Sequence, residues 1–582
     1  METVLIFAPL VGAVLCGLGW RLVGELAATS IAAAMMGLAA VLALLQLLTF
    51  NAAESDVVLP LLRWLESGSL SVDWVIRVDL LAASVAMLAT GLAALVFLHG
   101  FAQPVDPDNL ATGTRARGYA MLSLLVFGAL VMVVADNLVQ FFVGWQLIAV
   151  ASCLGIGLRH QTRAPNRAGI FALVSNGISD TAILVALTVL FMVTDTLSFD
   201  QLSDPVALAD VTSARVSVLG IDMAALTLIA ALLVVGVLGR SGGLIFQTWV
   251  TGAAEAPARV LALVAAVTLS SAVILVLRIS PLVDTPTIGA AIATAGTISA
   301  ILAMGMAAAL PPGREANLCF SGGLISLTLV AVGIGAGSAA LPFLMVHGVL
   351  AAVLILSGRG AADWAGRASA ALLVISTAVL GMHLLSTAAD PLSNALALGA
   401  MLAVGLTAIA GGRAFFVPAG PDPLPALPAT LADLALLAIG AALTIVWALG
   451  IWALFFAVDI AIMTPRAIAL PLVAMTIGIA LGFWLRRKEV PDSGWVGFIS
   501  GGFGFNQVVA GLIVTPIFAL SGILSRGMDL FWIDRMAGRL TPWFANADGK
   551  ARRLPRAAVF LAVYACAVAA VVWLVANLGG AS

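Results

Sequence analysis

Apolar residues run along this chain in blocks of about twenty, and the charged, proline and glycine residues concentrate between them. Within the hydrocarbon core of a bilayer only helices and closed barrels satisfy their backbone hydrogen bonds, so blocks of this length predict membrane-crossing helices. Counted between punctuation, they predict sixteen spans at roughly 4–24, 27–49, 78–98, 119–136, 138–158, 169–193, 220–247, 257–278, 286–309, 318–338, 341–357, 367–387, 391–411, 434–457, 467–486 and 555–578. The chain therefore reads as an all-α polytopic membrane protein. Stretch 498–553 departs from the pattern, because Asn506, Arg526, Asp529, Asp534, Arg535 and Arg539 interrupt its apolar residues. A moderately apolar helix with a polar stripe lies along a membrane surface more readily than it crosses, so a lateral amphipathic helix is expected there, braced by a final anchoring span.

Basic residues set an orientation. Loops and span ends after odd-numbered spans hold Arg21, Arg115, Arg117, Arg159, Arg163, Arg167, Arg259, Arg314, Arg359, Arg367, Arg413, Arg486, Arg487 and Lys488; those after even-numbered spans hold Arg63, Arg77, Arg215, Arg278 and Arg466. By the positive-inside rule the first set faces the cytoplasm and both chain ends face outward, in an inner membrane. The first segment, METVLIFAPLVGAVLCGLGW, has no basic n-region and reads as a retained span rather than a cleaved signal peptide.

Composition narrows the chemistry. Of 582 residues 62% are hydrophobic and 10% charged, the net charge is −2, and no block of basic residues suggests nucleic acid. Lysine occurs at 488 and 550 alone, outside the apolar blocks. Cys16, Cys153, Cys319 and Cys566 stand far apart in apolar runs and read as inert buried thiols. No phosphate-binding glycine loop, metal-ligand cluster or nucleophile motif occurs. No catalytic residue, metal or bound cofactor is expected, and no site for NADH, flavin or an iron–sulfur cluster on the chain's own account. Function has to rest on the few ionisable residues kept at membrane depth, each of which is costly there.

Two spans carry interruptions that predict broken helices, GRSGG (Gly239–Gly243) in the seventh and ADP (Ala389–Pro391) at the twelfth. Breaks at matching places in two halves of a transporter point to an ion site, with spans 4–8 and 9–13 as the halves. The expected organisation is N-terminal helices over 1–100, a core over 101–415 made of two inverted five-helix repeats (about 119–278 and 286–411), further spans over 416–497, the lateral helix over 498–553 and the anchor over 554–582.

FFVGWQLIAVASCLGIG (Phe141–Gly157) resembles the fifth helix of the large antiporter-like subunit of respiratory complex I, a family shared with multi-subunit cation/proton antiporters and some inorganic-carbon transporters. Ile76–Gly100 resembles the family's third helix, Asn166–Asp180 its sixth, GRSGGLIFQTW (Gly239–Trp249) its seventh-helix motif, Ala253–Ala272 its eighth, and Leu341–Leu356 its HLxTHAFFKALLFL helix. Val508–Asp534 is similar to the lateral helix of the complex I subunit. The resemblance implies proton or cation transfer along a mid-membrane polar axis, where a glutamate tunes a lysine on the broken seventh helix and further Lys/His groups relay charge. It also implies other membrane subunits of a complex I-like assembly as partners, within the lipid bilayer.

This chain departs from that pattern at the groups that titrate. Gln146 stands where the family has its acid, Arg240 in the lysine position, Ala265 for a histidine and Ala351 for a second lysine. A guanidinium stays protonated to above about pH 12 and cannot hand on a proton as a buried lysine does. Arg240 reads as a static cation, hydrogen-bonded by the Gln146 carbonyl and paired with Asp180 or Glu255. Glu255 reads equally as a helix-start carboxylate, and His347 and His383 as core histidines or proton carriers. His383 and Asp390 are the titratable groups nearest the twelfth-helix break. Three roles remain open: an ion-translocating complex I-type subunit with an arginine-centred channel, a non-pumping structural paralogue, or the membrane partner of a cation-antiport or carbon-uptake assembly.

Overall fold

The computed structural model describes residues 1–50, 56–102, 114–218, 220–357, 364–416, 431–449, 464–485, 494–509, 511 and 515–524. Fourteen helices among them are long and apolar enough to cross a membrane. We label the first thirteen α1 (Glu2–Val23), α2 (Glu25–Thr49), α3 (Leu80–Gly100), α4 (Thr114–Val133), α5 (Leu138–Arg159), α6 (Arg163–Thr194), α7 (Ala225–Glu255), α8 (Ala258–Arg278), α9 (Pro286–Ala309), α10 (Arg314–Gly333), α11 (Gly337–Leu356), α12 (Trp364–Thr387) and α13 (Pro391–Phe416). After them come α14 (Leu431–Ala448), which is shorter in its apolar part, and α15 (Pro465–Leu485). These correspond in order to the first fifteen expected spans. The sixteenth, 555–578, lies outside the described residues.

The chain forms two compact units, Met1–Asn506 and Gln507–Ser582. In the first, α8, α10 and α11 make the centre, with 94% of their apolar windows buried, whereas α15 with 17% is peripheral. Lipid tails are as apolar as leucine, so helices in a bilayer associate by close packing rather than by a hydrophobic drive between them. Small residues at the crossings permit that approach. A Cβ on Gly289 of α9 would sit 2.7 Å from the Gly333 carbonyl oxygen of α10, and one on Gly482 of α15 would sit 2.8 Å from Ile409 O of α13.

The expected lateral helix begins differently. Gly494–Ser500 and Phe505–Val509 are short helices separated by a turn in which Gly502, Phe503 and Gly504 all take positive φ. Thr515–Leu524 is helical again in the second unit, and 525–553 lies outside the described residues.

Two hairpins were not foreseen. β1 (Val57–Ser67) pairs antiparallel with β2 (Leu70–Val78), and β3 (Arg215–Val218) with β4 (Ile221–Ala224). The first is stitched to the start of α5 by side chains that imitate a neighbouring strand. Gln140 Oε1 accepts from Val75 N at 3.1 Å while its Nε2 donates to Val75 O at 2.8 Å, and Asn137 Nδ2 donates to Asp73 O. An ionic cluster closes this cap. Arg77 bonds Asp56 (2.7 Å), Asp136 (3.2 Å) and Asp200 (2.5 Å), and Arg278 bonds Asp79 and the Val133 carbonyl. The carboxylates hold the Arg77 guanidinium charged despite its burial, and burial raises the Asp136 carboxyl against the opposing pull of Arg77.

Candidate functional site

The seventh span breaks where GRSGG predicts. Its first segment ends at Ser241, Gly242 takes a left-handed conformation (φ 70°), and the chain restarts as a 3-10 turn (Leu244–Phe246) and a short helix (Gln247–Gly252). A helix end buried in a bilayer needs partners for its freed carbonyls. The indole of Trp249, fully buried, supplies one by donating to Gly239 O at 2.8 Å. Gly236 and Gly239 let α7 press onto α6, since a Cβ at either would collide with Ile183 or Ser179.

That close crossing brings Arg240 to Asp180. Arg240 Nη2 donates to Asp180 Oδ1 at 2.9 Å, with both side chains buried. Trp145 of α5 clamps both partners: its indole N–H donates to the same carboxylate oxygen at 2.6 Å, its ring lies 4.2 Å beneath the guanidinium carbon, and its backbone carbonyl accepts from Arg240 Nη2 at 3.2 Å. A desolvated guanidinium over an indole gains about 2 kcal/mol, so Trp145 contributes energy as well as shape. Sequence reasoning named Asp180 and Arg240 and missed Trp145, whose place between Gly144 and Gln146 in the FVGWQ stretch was the available signal.

The remaining expected site residues do not join this cluster. Gln146 is half-buried and forms no hydrogen bond to Arg240; the Trp145 carbonyl takes the place expected for the Gln146 carbonyl. Glu255 is exposed on a 3-10 turn at the end of α7, so of the two candidate acids it is Asp180 that pairs. His347 on α11 is fully buried, its Nε2 2.7 Å from Ser321 Oγ, and Ala351 lies one turn further along. His383 on α12 stacks on Trp447 of α14 with ring centroids 5.1 Å apart. The twelfth helix is not interrupted: α12 runs continuously to Thr387, and ADP forms the turn into α13. Asp390 is exposed there, and hydrogen bonding by the Ser393 side chain and N–H (3.0 Å), then by Leu392 N (2.9 Å), lowers its carboxyl below the ordinary range. It caps a helix end, as an aspartate before a proline-led helix is suited to do.

Residues 135–365 match the family described as NADH:quinone oxidoreductase/Mrp antiporter, transmembrane. Subunit L of the NADH-quinone oxidoreductase of Rhodobacter capsulatus is 32% identical over 360 residues, which are 61% of this chain and 50% of that protein. Chain 5 of the NADH-ubiquinone oxidoreductase of Chondrus crispus is 28% identical over 305 residues, 52% of this chain and 45% of the relative. The chain thus spans about half the length of these curated relatives. Among solved structures, the Mrp complex from Dietzia sp. DQ12-45-1b superposes with a TM-score of 0.62 at 20% identity, covering 98% of this chain and 63% of that one. A chain of the membrane-bound sulfane sulfur reductase, an archaeal respiratory membrane complex, gives 0.62 at 15% identity, covering 98% and 100%. At these identities the superpositions speak for the fold. The matched sequence, the order of the helices and the broken seventh span agree, and residues 135–365 are similar to the transmembrane module of the NADH:quinone oxidoreductase/Mrp antiporter family.

Proposed function

We propose that this protein is a membrane subunit of a complex I-type NADH:quinone oxidoreductase in which the first-half charge site is a fixed lock rather than a proton relay. The observation that carries the reading is the Arg240–Asp180–Trp145 cluster. Its cation does not give up a proton in the physiological range, and its carboxylate is held by three donors, with Ser179 Oγ at 3.5 Å beside Arg240 and Trp145. Ala265 and Ala351 stand where an onward relay would need titratable side chains. On this reading the two five-helix halves serve as scaffold, residues 498–553 and the following anchor brace neighbouring membrane subunits, and both termini lie outside the inner membrane. Electrons, NADH and quinone are handled by partner subunits, and the chain contributes no catalytic residue.

The test is the number of protons pumped per electron by the assembled complex in vesicles. Arg240→Lys should leave it unchanged, because a lysine paired with Asp180 still has no titratable partner at positions 265 and 351 to which a proton could be handed on. A clear fall in stoichiometry with assembly intact would place Arg240 in a working ion path and sink the proposal.

A further inference from the structure

A second buried arginine has no carboxylate beside it among the described residues. Arg413, near the end of α13, is 6% exposed, and it forms no ion pair among the described residues, whereas Arg240, Arg77 and Arg278 each have an aspartate. Its Nη1 donates to two carbonyls at the end of α9, those of Ala308 and Leu310. The C-terminal end of a helix carries roughly half a negative charge, which offsets part of the guanidinium's charge but not all of it. Its Nε–H is buried and has no partner.

This arginine lines a cavity of about 20 Å³ between the ends of α9 to α13. The opposite wall is the first turn of α10, with Ala316 and Asn317 on the cavity. That 20-residue helix starts at Gly313 with no side-chain cap, so its first backbone N–H groups lack the usual acceptor. Asn317 donates to Leu354 O at 3.2 Å, and its amide has a second N–H. Glu315, in the same turn, is exposed and absent from the lining. Ala410, Phe320 and Leu354 are among the other lining residues, and no acid lines the cavity among the described residues.

An uncapped helix start, a desolvated guanidinium with a spare donor and a small acid-free cavity share one electrostatic requirement, a compact negative charge. About 10–15 Å³ suffices for one water-sized body, so the room is that of a monatomic ion and too small for a phosphate group. We propose that this cavity binds a single small monovalent anion, chloride in size and charge, which ties α13 to α10 and completes the charge balance of Arg413. None of the residues lining the cavity belongs to the Arg240 cluster, and the site stands independently of whether the subunit pumps.

Equilibrium binding of radiochloride to the purified full-length chain tests it, alongside thermal melting in chloride and in gluconate at equal ionic strength. Wild-type protein should show a single saturable chloride site, displaced by bromide, and should melt higher in chloride. Arg413→Gln should weaken binding by about tenfold or more, the expected loss for a hydrogen bond to a charged group. Ala410→Leu, which fills the cavity and keeps the arginine, should abolish both binding and the chloride-dependent melting shift; it decides the matter if Arg413→Gln does not fold. Absence of saturable chloride binding in the wild type would overturn the proposal, as would binding unchanged in Ala410→Leu. Chloride-level stability in gluconate once the chain sits in phosphatidylglycerol nanodiscs would assign the charge to a lipid phosphate and equally overturn it.

Discussion

Replacing Arg240 by methionine removes the cation while keeping much of the side-chain length, and it strikes all three legs of the cluster at once. Asp180 would keep the Trp145 indole and the distant Ser179 hydroxyl but lose its counter-charge, in a site where both partners are almost wholly removed from solvent. The lost charge-assisted hydrogen bond is worth about 1.5–3 kcal/mol and the cation–π contact about 2 kcal/mol, and these overlap rather than add. Removal of one member of a buried pair typically costs about 3–5 kcal/mol, because the survivor is left charged in a poor solvent. Arg240→Met combined with Asp180→Asn should recover most of this, since the asparagine oxygen still accepts from the indole and no charge remains. The assay is unfolding of the full chain in mixed micelles by SDS titration, with the yield of assembled complex as a second readout. The single variant should unfold much earlier than wild type and the double variant close to it. A midpoint for Arg240→Met equal to wild type, or a double variant worse than the single, would refute the account of the cluster as a mutually dependent charge lock.

The ionic cap makes a pH-dependent prediction. Burial raises the Asp136 carboxyl above its ordinary 3.8, so the folded chain binds this proton more tightly than the unfolded one. Its contribution to stability is therefore complete below pH 3.8 and lost as pH rises through the raised value. Asp136→Asn, neutral throughout, should flatten that slope in hairpin protection measured by hydrogen exchange; an unaltered slope would count against it. At the α13–α15 crossing, a Cβ on Gly478 runs into the Gly405 carbonyl and the Ala408 methyl. Gly478→Leu should thus cost at least the 1–3 kcal/mol, roughly, of core overpacking and lower the melting temperature, and wild-type melting would show that the helices do not meet there. For orientation, Arg115→Cys and Arg163→Cys in a cysteine-free background should react with an impermeant reagent only from the cytoplasmic side; labelling from outside would reverse the topology.

The length and order of apolar blocks determined the helices α1 to α13, because a bilayer demands about 20 apolar residues per crossing and offers the backbone no other way to close its hydrogen bonds. The glycines of GRSGG likewise located the break in α7, since a left-handed turn at Gly242 is a local backbone property. Local pattern could not decide partners. Asp180 and Glu255 were equal candidates for Arg240, and it was the packing of α6 on α7 through Gly236 and Gly239 that chose the first and left the second in solvent. The ADP triplet read as a second break matching GRSGG in place, yet α12 had already ended, so its aspartate became a cap. The first hairpin escaped notice because the bonds that hold it, to Gln140 and Asn137, come from residues far away in the chain, and no local periodicity records them. The same holds for the partners of Trp145 and Arg413: the FVGWQ stretch could mark the first residue, but neither sequence neighbourhood says which side chain or carbonyl faces it. Only tertiary packing places one beneath a guanidinium and the other against a helix end, because at membrane depth a side chain's role is set by which neighbouring helix supplies its counter-charge.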